Sequence, residues 1–353
     1  MKKILTFIIA VAMIAALAVC PAEAAKKPEF MLALGDSITT GYGLDGYAEQ
    51  DPYSCGSYAN MIAEAFGLES KSSYLNKAVN GATSADLLKL LPELENYLGY
   101  SDLIVVSIGG NDLLAAVPYV ASAVSGKNIT TLSGSVDVLM AATPDQYAAL
   151  STNISFQTKM TQALTAFATN LASSAALIKA SAPQARVIFL KQYNPMKNVP
   201  GFAEFGNFAD TLIAAINGSI ESVCAASGFE VLDAPSVIDV NAAALTNMLN
   251  YDIHPNADGH IEIAKLLASH LEISLDPSEN TNWETEPVTE PETEPVTEPE
   301  TELVTEPETE PATEPETETE GQLEAPGCMS SVSSAAIILA AIGTFLVLKK
   351  KDN

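Results

Sequence analysis

Residues 102–108 read DLIVVSI, a continuous apolar run with β-branched members, and this stretch constrains the fold more than any other. A strand without polar alternation is covered on both faces, as happens at the centre of a parallel sheet flanked by helices. Shorter apolar runs recur at 30–34, 73–79, 186–193 and 230–232. Between them lie stretches with helical spacing: 58–66, closed by Gly67; a helix opening at Thr83 or Ser84 and interrupted by Pro92; 156–179; and 211–227, ending at Gly228. A last helix follows Pro255, which is suited to a first helical turn. Strand and helix alternate, so the chain predicts βαβ units and a parallel sheet, not a sandwich or a bundle. Residues 113–153 loosen into Ala-, Ser- and Thr-rich sequence without a readable element, and a cap over the crevice is one option.

The 353 residues exceed what one such sheet needs, and the surplus sits at the ends. Residues 1–24 carry two lysines, an apolar stretch over 4–19 and Ala22-Glu23-Ala24, the pattern of a secretory signal cleaved after Ala24. A lipid-modified Cys20 is the lesser alternative, because Val19 stands where such signals place a small residue. At the other end, 285–320 is a run of T-E-P-x tetrads, imperfect at 301–304 and 317–320. Recurrent proline forbids a regular helix and like charges stretch the chain, so 278–326 reads as a disordered acidic spacer. Residues 327–348 then supply an apolar segment of membrane-spanning length, and Lys349-Lys350-Lys351 within 349–353 is the basic flank that stays cytoplasmic. Residues 323–327 lack an LPxTG-type sortase signal. The expectation is an exported domain over 25–277, held at the outer face of the cell membrane by one C-terminal transmembrane helix.

The net charge of −27 is mostly a property of this tail: 17 glutamates and no lysine or arginine fall within 278–326, and removing them leaves −10. Such a balance excludes a phosphate-tracking surface, so no nucleic-acid partner is expected. Of four cysteines, Cys20 leaves with the signal and Cys328 adjoins the C-terminal segment, leaving Cys55 and Cys224 as a disulfide or as two buried thiols. The histidines, His254, His260 and His270, form no metal-ligand spacing, so neither metal nor cofactor is expected. A monomer is the default.

The strand at 30–34 ends in Gly35-Asp36-Ser37. In open parallel sheets the carboxyl ends of the strands face the ligand crevice, so Ser37 is a nucleophile candidate by position, given a base for its proton and donors for an oxyanion. Gly41-Tyr42-Gly43-Leu44-Asp45-Gly46 matches G-x-G-x-x-G, but it starts several residues past the strand and no acidic residue closes a second strand at the expected distance, which argues against a dinucleotide site. Asn80-Gly81 and Gly109-Gly110-Asn111-Asp112 end the next two strands, and His254 opens the last helix. One sheet edge would therefore gather a hydroxyl, a close-approach backbone amide, a carboxamide and an imidazole.

With GDSITTGYG around Ser37, NGATS around Gly81, GGND around Asn111 and HPNADGH around His254, the chain resembles the SGNH hydrolases, the GDSL esterase and lipase family, from about residue 29 to 270. The resemblance implies a three-layer α/β/α, flavodoxin-like parallel sheet of about five strands. It also implies a serine esterase that works through an acyl-enzyme, with Ser37 as nucleophile, His254 as general base, and the amides of Ser37 and Gly81 with the Asn111 side chain as oxyanion hole. Substrates on this reading are polysaccharide O-acetyl esters or lipid and short-chain acyl esters. The rival is a surface binding module on a hydrolase-like fold. One position departs from the family, whose aspartate lies three residues before the histidine: here Tyr251 stands there and the carboxylate is Asp252. Asp252 through an altered loop, a backbone carbonyl near Tyr251, and a remote acid such as Asp233 are the three ways left to orient His254.

Overall fold

The structure, a computed structural model, describes residues 27–275. The expected signal at 1–24 with Cys20, and the spacer, anchor and basic tail at 278–353 with Cys328, lie outside the described residues. The first half runs β1 (Met31–Gly35), α1 (Ser37–Thr40), α2 (Tyr58–Ala65), β2 (Tyr74–Asn76), α3 (Ser84–Leu90), α4 (Glu95–Tyr100) and β3 (Leu103–Ser107). Next come α5 (Gly110–Leu114), α6 (Val117–Ser125), α7 (Leu132–Met140), α8 (Pro144–Ala149) and the long α9 (Ile154–Ser181). The chain continues through β4 (Arg186–Leu190), α10 (Ala203–Ser227), β5 (Glu230–Leu232), α11 (Pro235–Ile238), α12 (Ala242–Leu245) and α13 (Ala257–His270).

Among the described residues all five strands are parallel, in the order β2-β1-β3-β4-β5. This is a doubly wound order, whose direction of travel reverses between β1 and β3. Alternate strand residues part to opposite faces. Leu32, Leu34, Ile104, Val106 and Phe189 pack beneath α3, α9 and α10, whereas Met31, Ala33, Leu103, Val105 and Ile188 pack beneath α2 and α13. The result is the expected three-layer α/β/α sandwich. Its far edge is pinned by Arg186, which donates to both Glu230 oxygens (2.7 and 2.8 Å) and to the His270 carbonyl (3.0 Å).

Residues 113–153 are helical, not irregular: α6, α7 and α8 share a core with the start of α9, built on Val120, Leu139, Tyr147 and Phe156. Their threonines and asparagine looked like loop residues because they are caps: Thr131, Thr143 and Asn153 each accept an N–H from the first turn of the helix they precede. Helix α10 begins at Ala203 instead of Thr211, since Gly206 and Asn207 interrupt the apolar spacing of its first turns. Pro255 is not in the first turn of α13. Asn256 caps that helix by accepting from the Gly259 N–H (3.0 Å), and Pro255 bridges back to Thr246. Cys55 and Cys224 are buried free thiols, pushed up to about 11 and about 12 by burial, so no disulfide joins them.

At the end of β1, Gly35 adopts φ +132°, and a Cβ built there would stand 2.0 Å from the Ser107 carbonyl oxygen. Only glycine fits a backbone that is both so twisted and so close. The expected outcome for Gly35→Ala is a loss of about 3 kcal/mol or more of unfolding free energy, from combined strain and overpacking. Urea denaturation of the variant checks this, and an unchanged midpoint contradicts it.

Candidate active site

The close approach at Gly35 lets the Asp36 N–H donate to the Ser107 carbonyl (3.1 Å), which fixes the chain as it leaves β1. Asp36 Oδ1 then accepts the Ile38 N–H (3.1 Å) and caps α1, so Ser37 becomes the first helical residue, half-buried at the carboxyl edge of the sheet. The site lies at the reversal between β1 and β3, the position where open α/β sheets form their crevice.

His254 reaches Ser37 from a loop more than two hundred residues away: Nε2 lies 2.8 Å from Ser37 Oγ. On the other side of the ring, Nδ1 lies 2.5 Å from Asp252 Oδ1, which also accepts the His254 main-chain N–H (3.1 Å). The loop is braced by Asn247 N–H donating to the His254 carbonyl (2.9 Å) and by the Tyr193 hydroxyl donating to the Ile253 carbonyl (2.8 Å). The spacing departure has a local cause. Tyr251 takes a left-handed conformation, φ +61°, which bends the chain just before Asp252 and delivers its carboxylate to Nδ1. Asp233, the remote alternative, instead pairs with Lys191 (3.3 Å).

Gly81 and Asn111 meet beside each other. Asn111 Nδ2 donates to the Ala82 carbonyl (3.0 Å), joining the first turn of α5 to the loop after β2. That bond uses one of the two carboxamide hydrogens and sets the direction of the other. Gly81 has φ +75° and its Cα faces open space. The same loop is tied to α1 by Thr40 Oγ1 donating to Asn80 Oδ1 (2.7 Å), and Asn80 Nδ2 in turn donates to the Tyr47 hydroxyl (2.5 Å).

Sequence reasoning missed three supporting groups. Tyr42 sits with its ring centroid 4.9 Å from that of His254; its signal was the glycine-flanked motif weighed above only as a nucleotide site. Asp112 accepts from both the N–H (2.9 Å) and the hydroxyl (2.6 Å) of Ser84, clamping α3 to α5. Asn80 stood next to Gly81 without a role. The remaining histidines are architectural. His260 is fully buried and stacked on Tyr58, accepts the Tyr58 N–H on Nδ1 (3.2 Å), and is pushed down to about 3 by burial, while His270 pairs with Glu230 (2.7 Å).

A doubly wound α/β/α sheet with a serine, histidine and carboxylate in hydrogen-bonded sequence at its reversal point defines a hydrolase-type architecture. More narrowly, the chain belongs to the GDSL-like lipase/acylhydrolase family, whose model matches residues 33–260, and it is a carboxylic ester hydrolase. It is similar to solved structures of low identity. These include phospholipase A1 from Streptomyces albidoflavus NA297 (18% identity, covering 68% of this chain and 98% of that one, TM-score 0.47). An extracellular lipase from Streptomyces rimosus (20%, 68% and 98%, 0.45) and the acetylxylan esterase Axe2 from Geobacillus stearothermophilus (16%, 71% and 97%, 0.43) also match. No curated protein matches the chain.

Burial pushes the Asp36 carboxyl up to about 7; the Ile38 N–H opposes the rise and the charge of Asp112 adds to it. The folded state therefore keeps a proton that the unfolded chain releases near its ordinary value of about 4. Stability consequently falls as pH rises from about 4 to about 7, by at most about 1.4 kcal/mol per pH unit from this group. Asp239, pushed up to about 6 by burial, tilts stability the same way. Asp36→Asn keeps an acceptor for Ile38 and removes the titration, so its pH–stability profile is expected to be flatter than that of the wild type over this window. Urea denaturation across the range reads it, and identical slopes in the two proteins contradict it.

Proposed function

We propose that this ester hydrolase acts through an acyl-enzyme on Ser37, at the outer face of the cell membrane. The observation that carries the chemistry is the continuous hydrogen-bonded row from Ser37 Oγ through His254 to Asp252. Ser37 Oγ attacks the ester carbonyl as His254 Nε2 takes its proton, and Asp252 holds the ring and stabilises the imidazolium. The tetrahedral oxyanion is met by the Ser37 N–H, which has no acceptor within α1, by the Gly81 N–H and by the second hydrogen of Asn111 Nδ2. Collapse breaks the bond to the alcohol oxygen, which receives the proton from Nε2 and leaves. Water then attacks the acyl carbon, gives a proton to His254, and the second collapse releases the carboxylic acid and returns the proton to Ser37 Oγ. An export signal at 1–24, the acidic spacer and the apolar segment before a lysine triplet support placement on the outer face.

With the full chain and p-nitrophenyl butyrate, Ser37→Ala and His254→Ala are expected to lower kcat by roughly a million-fold, and Asp252→Ala by about ten-thousand-fold. Wild-type activity in Ser37→Ala refutes the mechanism, and wild-type activity in Asp252→Ala refutes the role of that carboxylate. Removing an oxyanion donor by Asn111→Ala is expected to cost on the order of 100- to 1,000-fold in kcat, with KM little changed. A loss confined to KM contradicts that assignment.

A further inference from the structure

Beside the serine–histidine pair lies a cavity of about 180 Å³ with an almost wholly apolar lining. One end is walled by Ile38, Gly110 and Ile253, the chain neighbours of Ser37, Asn111 and His254, so it adjoins the reacting hydroxyl. From there it runs between α10, which contributes Phe208, and the cap, where α7 contributes Val136 and Met140. Leu132 of the cap and Tyr251 of the histidine loop also line it and are exposed, which marks its rim.

We propose that this cavity takes the acyl chain of the substrate and that the preferred esters carry a medium-length aliphatic acyl group, not an acetyl group. The inference rests on the acyl-enzyme reading above. Its first argument is size. An apolar cavity of about 150 Å³ takes a benzene ring, so the space suits a chain of about six carbons beyond the carbonyl. An acetyl methyl would leave most of the lining without contact partners, forfeiting dispersion along Phe208 and the cap helix. The second argument is direction. The departing alcohol oxygen must stay within reach of His254 Nε2, and neither His254 nor the half-exposed Tyr42 against its ring lines the cavity. The acyl substituent is left to point past Ile38 and Gly110 into the cavity. The third is origin: the cavity is the gap between α10 and α7, so the cap helices that form its wall set the chain length.

The test measures kcat/KM of the full chain on p-nitrophenyl octanoate and p-nitrophenyl acetate. Each buried methylene is worth roughly fourfold in transfer, and the octanoate is expected to be favoured by at least about 50-fold. Met140→Trp and, one turn earlier on α7, Val136→Trp each fill the cavity and are expected to lower the octanoate-to-acetate ratio about tenfold or more. Thermal melts identify a variant that fails to fold, and the wild-type ratio stands independently of both. Ethyl octanoate is compared with octyl acetate, and faster turnover of octyl acetate overturns the acyl assignment in favour of the alcohol. Equal or greater kcat/KM for acetate overturns the inference while leaving the Ser37-dependent mechanism intact, whereas octanoate hydrolysis that persists in Ser37→Ala overturns both.

Discussion

A single hydrogen bond, from the Asp36 N–H to the Ser107 carbonyl, decides where this molecule can do chemistry. It forms because β1 and β3 are neighbours and because Gly35 brings no side chain between them. Beyond that bond the two chains diverge, as the doubly wound order requires, and the opening between them is the crevice. The proposed nucleophile and oxyanion donors are then placed by short links outward from it: Asp36 starts α1, α1 presents Ser37 and holds Asn80 through Thr40, and Asn111 turns back onto Ala82. The histidine loop is the one part that arrives from elsewhere.

The sheet was legible in the sequence because its strands are buried on both faces, and such strands must be apolar throughout. The four motif segments were legible because the chemistry restricts each to very few residue types. What could not be read was of another kind. The cap at 113–153 gave no signal because its helices are short and begin on threonine or asparagine, the same residues that populate loops. The start of α10 was hidden by Gly206, and the start of α13 was displaced by the side-chain bond that Asn256 makes. The supporting roles of Tyr42, Asn80 and Asp112 depend on contacts between residues distant in sequence, which no local spacing encodes.

The polar groups around the site divide by depth. Asp36 and Asp112 are carboxyl groups raised by burial, and both accept backbone N–H bonds that secure the turns. Asp252 sits nearer solvent, with about a third of its side chain exposed, and faces the imidazole. The deep acids therefore serve architecture, and in the proposed mechanism the shallow one serves the proton path. On the opposite flank the wall turns apolar within one residue of Ser37 and of His254, so polar chemistry and greasy lining meet at the reacting bond.

The left-handed turn at Tyr251 has a consequence for how relatives of this chain are to be recognised. A search pattern written in letters counts the interval from acid to imidazole and discards any chain in which that interval changes. Here the interval is shorter and the carboxylate still stands at hydrogen-bonding distance, with the chain turned through a left-handed Tyr251 just before it. Membership is better judged by which atoms meet than by how many residues separate them.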